Sequence, residues 1–269
     1  MLEHLTRPLI ALQLASPPSL WGKLPAHSDY IHQNSHPIER QALHQWIQDQ
    51  WRHRPDAPAC ALPEDGWQVT QKPRRTDWSD VPVGFLIPSA MVPFTTRCHM
   101  QGVIMASHDK LGRAYPIVMY QHVTTSWVER NYQLDLAQLP SQQGTRNWLF
   151  WASRVMSQQV KQHQSIDALQ GQLQHLWALY APGWQQCMGQ TLRQPTERAV
   201  HAVVRADPAY DPTYDPTTHL NGVSHLPWSD WPTRVTQKKQ AQAAFWTQDS
   251  QGRYLQAASS LLQLWGVKP

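Results

Sequence analysis

Ser107, His108 and Asp109 stand next to one another and are the three residue types of a hydrolase catalytic triad. A triad needs the serine hydroxyl against the imidazole and the imidazole against the carboxylate, each at hydrogen-bond distance. Neighbouring side chains of an extended strand point to opposite faces, so three consecutive residues do not easily meet this requirement. The sequence also lacks the G-x-S-x-G motif of a nucleophile elbow. We therefore expect no catalytic centre at these residues.

The same stretch carries the signals of a turn. One apolar run, QGVIMA, ends near Ala106 and another begins near Tyr115, so SHDKLGR is predicted to connect the two strands of a hairpin. Asp109 can fold its carboxylate back onto backbone N–H groups, and Gly112 can adopt a positive φ. Arg113 can reach Asp109 across the turn, as an exposed ion pair worth under ~1 kcal/mol.

The histidines and aspartates invite a metal hypothesis that their spacing does not favour. His32 and His36 are four residues apart, but Pro37 disfavours a helix at His36, and no H-E-x-x-H motif is present. Within residues 207–216 three aspartates recur every fourth residue, each before a proline, which favours a stiff loop over a calcium site. No phosphate loop or G-x-G-x-x-G motif follows a predicted strand. We expect neither a metal nor a cofactor.

Composition narrows the class of protein. The 269 residues carry 23 Lys and Arg against 19 Asp and Glu without a continuous basic stripe, so we expect no nucleic-acid partner. Three dispersed cysteines and no C-x-x-C motif favour a reducing compartment. The run PLIALQLA is too short for a signal peptide, and no run approaches the ~20 apolar residues of a membrane span. Fourteen tryptophans suit either a core or a half-buried protein interface.

The first half of the chain is predicted to hold one helix and a group of strands. A helix starts at Pro37, where Ile38, Ala42 and Trp46 recur at helical spacing. Residues 54–80 read as a long surface excursion with one short strand near residues 67–69. Residues 83–121 then contain three strands, VGFLI, CHMQGVIMA and YPIVMYQH, separated by turn signals.

The second half alternates predicted helices and strands. A first apolar stripe runs from Trp148 to Met156 and a second from Ile166 to Tyr180, with Ser165 as cap of the second helix. A strand is predicted over residues 199–206, followed by the strand AAFWTQ and a final helix through residues 261–265. The interleaving predicts a three-layer α/β fold with a mixed β-sheet and helices on both faces. We expect one domain over residues 1–269, with parts at about 17–125 and 126–269.

Two further stretches carry a resemblance to a known family. LWGKLPAHSDYI resembles the opening motif of the type VI secretion-associated TagF family, also called ImpM, and the segment around SHDKLGRAYP resembles its second motif. The two motifs occur in the order expected for the family. The matching residues are Gly22, Lys23, Leu24, Pro25, Asp29, Tyr30 and Ile31 in the first motif, and Gly102, Val103, Ser107, Asp109, Gly112, Arg113, Tyr115 and Pro116 in the second.

The resemblance implies a cytoplasmic, non-enzymatic accessory protein of a bacterial type VI secretion system. Members of the family are associated with post-translational repression of the machine's assembly or firing, through binding to an FHA-domain scaffold protein. The family fold is a three-layer α/β arrangement, in agreement with the interleaved elements. Two alternatives stay open, a structural component of the apparatus and a small hydrolase that uses Ser107 with a distant imidazole such as His27 or His201.

The polar motif residues suggest a docking surface. Lys23, Asp29, Ser107, Asp109 and Arg113 are predicted to converge at one edge of the sheet with tryptophans around them, an arrangement that suits a binding hot spot. The competing interpretation is that Asp29 and Arg113 form a buried structural pair that fixes two loops.

Overall fold

A computed structural model describes residues 14–52, 81–89, 91–92, 95, 97–137, 146–190, 194–204, 226, 228–237 and 239–264. These residues form seven strands and eight helices. The strands are β1 (Ser19–Gly22), β2 (Ile31–Gln33), β3 (Val83–Ile87), β4 (His99–Met105), β5 (Ile117–Val123), β6 (Ala244–Gln248) and β7 (Tyr254–Ala258). The helices are α1 (Pro37–Arg52), α2 (Thr125–Ala137), α3 (Trp148–Lys161), α4 (Ile166–Tyr180), α5 (Trp184–Cys187), α6 (Glu197–Val203), α7 (Thr233–Thr236) and α8 (Leu261–Leu264).

The seven strands form one sheet in the order β2-β1-β5-β4-β3-β6-β7. Every pair in this sheet is antiparallel, which corrects the predicted mixture of parallel and antiparallel strands. A parallel pair needs a crossover connection that returns the chain to the same end of the sheet. Here the helices α2 to α7 follow one another between β5 and β6, so they do not alternate with single strands.

Helices cover both faces of the sheet. Leu43 and Ile47 of α1 and Leu261 of α8 pack on one face, against a cluster that includes Phe85 and Val118. The other face is covered by α2, α3, α4 and α6, whose buried residues join strand residues in a larger cluster. The predicted α/β class, its three layers and the helices on both faces are confirmed.

Most tryptophans that the structure describes belong to these two cores and not to the surface. Seven of them are buried, namely Trp21, Trp127, Trp148, Trp151, Trp177, Trp231 and Trp246. Trp148 donates an internal hydrogen bond of 2.7 Å from its indole Nε1 to Gln121 Oε1, which gives the polar N–H a partner away from water.

Several predicted elements are confirmed with small changes at their ends. The helix from Pro37 and the strands around residues 83–121 are present, and α3 and α4 follow the two apolar stripes. Ser165 caps α4 by accepting a 3.3 Å hydrogen bond from the Ala168 N–H, and the helix ends at Tyr180. The final helix α8 spans only residues 261–264. The predicted strand at 67–69 and the Asp-Pro loop at 207–216 lie outside the described residues.

Two assignments in the helical half were wrong. Residues 199–203 of the segment predicted as a strand over 199–206 belong to α6, because Thr196 caps this helix by accepting from the Ala199 N–H and Val200 is buried against α4. The packing of Val200 against α4 outweighs the β-propensity of the other valines in this segment. Helix α2 was not predicted, although Trp127 and Val128 on it are buried in the core.

Strand register places three connections at the same end of the sheet. Gly22, the last residue of β1, and Met105, the last residue of β4, both pair with Ile117, the first residue of β5. β6 is antiparallel to β3 and so runs in the direction of β4. The loop after β1, the β4–β5 connection and the β6–β7 connection therefore share this end, and we call it the motif end of the sheet.

Candidate functional site

The loop after β1 and the β4–β5 connection are fastened together at the motif end. Asp109 Oδ2 accepts from Lys23 Nζ at 2.9 Å and from Arg113 Nε at 2.6 Å. Arg113 also donates from Nη2 to the backbone oxygen of Ser28 at 2.6 Å. The backbone N–H of Lys110 donates to the oxygen of His27 at 2.7 Å. The two family motifs, far apart in sequence, are thus one structural unit.

The predicted turn is present at residues 109–113. Asp109 Oδ1 accepts from the backbone N–H groups of Leu111 at 3.0 Å and Arg113 at 2.9 Å. The Asp109 N–H donates to the Arg113 oxygen, and Gly112 has a φ of +80°. Only glycine adopts this left-handed conformation without a steric penalty. The acidic residue of the apparent triad therefore organises its own turn.

Asp109 is the electrostatic centre of this unit. It is 0% exposed, and Lys23 beside it is also buried. Burial alone would raise the pKa of the Asp109 carboxyl, but hydrogen bonds and charge from Lys23 and Arg113 lower it below its ordinary value. A buried ion with two cationic partners and two backbone donors has its desolvation cost offset, whereas removing one partner leaves an uncompensated charge.

Asp29 does not take part in the buried pair. Its side chain is exposed, and its Oδ1 accepts from the neighbouring Tyr30 N–H at 2.7 Å. The interpretation of Asp29 and Arg113 as a buried structural pair was therefore wrong. The pair predicted between Arg113 and Asp109 is present, but its carboxylate is buried and not exposed. Arg113 pairs with Asp109 because the turn brings residues i and i+4 together, and it reaches the Asp29 loop through a carbonyl oxygen.

Ser107 is buried beside the turn. Its Oγ has no hydrogen-bond partner among the described residues. The two imidazoles considered for a hydrolase have other contacts. His27 Nε2 accepts from the Ile166 N–H at 3.0 Å, at the start of α4, and the His201 ring lies edge-on to Trp151 at 5.0 Å between centroids. Among the described residues, Ser107 is therefore hydrogen-bonded to neither imidazole.

An aromatic cluster supports the first motif from below. Tyr30 is stacked on Trp21 at 5.7 Å between centroids and meets Tyr115 edge to face at 4.9 Å. Lys23 Nζ lies 5.1 Å from the centre of the Tyr30 ring, and His44 Nδ1 lies 2.9 Å from the Tyr115 hydroxyl. Burial raises the pKa of Tyr30 to about 12, although Arg113 opposes the shift, so the phenol stays neutral at physiological pH.

The remaining motif residues shape the backbone. Gly22 has a φ of +136°, and a Cβ there would lie 2.2 Å from the Pro116 oxygen, so only glycine fits this close approach of two strands. Leu24 is fully buried in the core, and Pro25 is buried next to it. These residues fix the path of the loop, as expected for a motif with a strict local geometry.

Several residues of the two motif segments are exposed on the outside of this unit. We use the name motif surface for five of them, Asp29, Tyr30, Lys110, Leu111 and Arg113. Leu111 is 69% exposed at the tip of the turn, and Tyr30 is 37% exposed over its aromatic support. The Arg113 side chain is 44% exposed even though its Nε is held by Asp109. The motif surface thus combines apolar, aromatic and charged groups on a rigid base.

The turn at residues 109–113 has a second copy in the β6–β7 connection, which was not predicted from the sequence. Asp249 Oδ1 accepts from the N–H groups of Gln251 at 2.8 Å and Arg253 at 2.9 Å, while Oδ2 accepts from Arg253 Nε at 2.7 Å. Gly252 has a φ of +81°. The signal was available, because residues 109–113 and 249–253 share the spacing D-x-x-G-R. We call them the first and second D-x-x-G-R turns.

Other kinds of site find little support within the described part of the chain. No group of three or more His, Cys, Asp or Glu side chains there is arranged to hold a metal ion. Among the described helices, none combines the length and the apolar character needed to cross a membrane. The described cysteines Cys98 and Cys187 are free thiols, and burial raises the pKa of each.

Comparison with known families decides what kind of protein carries this unit. The sequence model described as the TagF N-terminal domain, type VI secretion system-associated, matches residues 19–176, more than half of the chain and a range that includes both motifs. The chain belongs to the TagF family. The resemblance inferred from the two motifs is confirmed, and this TagF family member is a type VI secretion system-associated protein.

Two other comparisons complete the description. No curated protein sequence matches this TagF family member. Among solved structures, it is similar to the crystal structure of PA0076 from Pseudomonas aeruginosa PAO1, with a TM-score of 0.48 and 12% sequence identity. The alignment covers 91% of this chain and 89% of that chain.

Proposed function

We propose that this TagF family member is a non-enzymatic, cytoplasmic regulator that represses assembly or firing of its type VI secretion system. It does so after translation, by binding an FHA-domain scaffold protein of that system through the motif surface. Family membership supports a partner within the secretion system. The finer choice of partner and the direction of regulation come from the resemblance described above.

One observation supports a binding role most strongly. The charged groups of the motifs hold the unit together, while Tyr30 and Leu111 remain exposed above them. Interface hot spots are enriched in tyrosine and arginine and lie on rigid, well-packed supports. Tyr30 rests on Trp21 and Tyr115, so little side-chain entropy is lost when a partner covers it.

The same arrangement uses the reactive residue types for structure. The Asp109 carboxylate accepts four hydrogen bonds from the turn, Lys23 and Arg113, and so it is not placed to orient an imidazole. Ser107 Oγ is buried without a hydrogen-bonded base among the described residues. These features favour recognition over catalysis as the work of the motifs.

The test combines binding with secretion. The tagged protein is expressed from its own locus and purified, and the FHA-domain scaffold is sought among the recovered proteins. In parallel, export of a substrate of the system is measured in cells that lack or overproduce this protein. We expect the scaffold to co-purify, export to rise on deletion and export to fall on overproduction.

Other outcomes would contradict the proposal in distinct ways. If the folded protein does not co-purify the scaffold, the proposed docking mechanism is wrong. Stoichiometric recovery with the assembled apparatus, together with loss of export on deletion, would identify a structural component. Loss of repression in a Ser107→Ala variant that still binds the scaffold would restore the hydrolase alternative.

A further inference from the structure

The second D-x-x-G-R turn differs from the first in what its arginine contacts. In the first turn Arg113 uses Nε on its aspartate and Nη2 on the carbonyl oxygen of Ser28. In the second turn Arg253 uses Nε on Asp249 in the same way. Over the part of the chain that the structure describes, neither Nη group of Arg253 makes a hydrogen bond or ion pair. Its guanidinium is oriented by the protein, and its side chain is 44% exposed.

A second guanidinium lies beside this turn. Arg146 donates from Nη2 to Gln251 Oε1 at 2.7 Å and from Nε to the Gln251 oxygen at 3.3 Å, and its Nη1 pairs with Glu197. Asp249 is buried, so the exposed charge of the turn itself is that of Arg253, whereas the charge of Arg146 is balanced by the exposed Glu197. An arginine held at Nε keeps two parallel N–H donors, a geometry that matches a carboxylate.

Both turns lie at the motif end of the sheet. The β4–β5 and β6–β7 connections are separated by three strand spacings, or about 14 Å at ~4.8 Å per strand. A standard protein interface covers ~800 Å² on each partner, a patch about 30 Å across. One partner can therefore contact the motif surface and Arg253 at the same time.

We infer that Arg253 is a recognition site for a carboxylate on an acidic segment of the protein that docks on the motif surface. The first turn shows the same fork receiving an oxygen acceptor from another part of the chain, the Ser28 carbonyl. Arg253 receives the equivalent oxygen from the partner. This inference rests on the proposed function, because it requires a docked secretion-system partner.

The experiment titrates purified FHA-domain scaffold against the wild-type protein and two variants of the turn. Arg253→Gln removes the charge and the fork. Ser250→Asp adds a competing carboxylate next to Arg253 and leaves the Asp249–Arg253 pair in place. We expect each variant to raise the dissociation constant about tenfold, as for loss of a charged hydrogen-bonded contact. The salt dependence of binding should also decrease.

Arg97→Gln is the matched control, since Arg97 is an exposed arginine before β4, at the opposite end of the sheet. It makes the same charge change and should leave the dissociation constant within about twofold of the wild type. Thermal unfolding confirms that each variant is folded. If the wild type does not bind scaffold, the proposed function fails. If the wild type binds and Ser250→Asp and Arg253→Gln bind equally well, the inference about Arg253 is overturned.

Discussion

Asp109 and Asp249 accept the same bonds from their own turns but differ in their surroundings. Each takes two backbone N–H groups and the Nε of the arginine four residues later. Asp109 takes in addition the buried ammonium of Lys23. The sequence predicted the first turn correctly from turn chemistry alone, because its bonds are local. It did not predict Lys23 as a partner, since that contact spans 86 residues.

The two aspartates form a natural comparison for stability. We expect Asp109→Ala to lower the free energy of unfolding by about 3 kcal/mol, because it leaves Lys23 buried without a counter-charge. Asp249→Ala should cost about 1 kcal/mol, because its cation is solvated and only turn bonds are lost. Urea denaturation of both variants measures the difference. Adding Lys23→Met to Asp109→Ala should recover part of the loss, and the absence of any recovery would argue against the buried pair.

At the scale of elements, helices with a periodic apolar stripe were predicted correctly, whereas a segment without such a stripe was assigned to the wrong type of element. Helices α3 and α4 have stripes that bury whole faces and were predicted. Helix α6 reads as a valine-rich strand, and only its cap and its contact with α4 make it helical. Such a contact is long-range, so local propensity could not decide it.

Glycines in turn and helix test this account of local structure. Gly112→Ala should destabilise the protein by about 1–2 kcal/mol, because alanine resists the φ of +80° even though the surrounding space is open. Gly171→Ala in α4 also meets no neighbour, and there it should stabilise the protein by roughly 0.5–1 kcal/mol. Midpoints of thermal unfolding check both signs, and equal effects at the two sites would contradict the assignment.

One carboxylate of helix α1 contacts two side chains of β5. Glu39 accepts hydrogen bonds from the Tyr120 hydroxyl at 2.8 Å and from the His36 N–H at 3.2 Å, and it lies 3.1 Å from His122 Nε2. Burial would raise the pKa of Glu39, but these bonds outweigh it and lower the pKa from 4.5 to about 2.

A pH dependence follows from the lowered pKa of Glu39. Its ionised form stabilises the folded protein fully above the unfolded-state pKa, and this stability is lost as the pH falls from about 4.5 towards 2. We expect Glu39→Gln to lower the free energy of unfolding by about 2 kcal/mol near neutral pH and by much less near the lower limit. Urea titrations at several pH values test this. A loss that is independent of pH would show that Glu39 acts by packing alone.

On the scale of the whole molecule, the antiparallel order of the sheet decides what meets at the motif end. The sequence contained both D-x-x-G-R turns, yet their common location depends on β6 pairing with β3, far away in the chain. The sequence also predicted a mixed sheet, because interleaved helices and strands do not reveal strand direction. Motifs therefore predicted the family, the first turn and the convergence of the polar motif residues, whereas the position of the second turn at the same end of the sheet required the fold.

The most direct test of the central claim is the affinity of the FHA-domain scaffold for two variants with the same substitution. Leu111 on the motif surface is 69% exposed and Met188 beyond α5 is 71% exposed, so Leu111→Asp and Met188→Asp place the same charge on equally accessible sites. We predict that Leu111→Asp weakens binding at least tenfold, as for an interface hot spot, while Met188→Asp binds like the wild type. Equal affinities for the two folded variants would show that the motif surface is not where the partner docks.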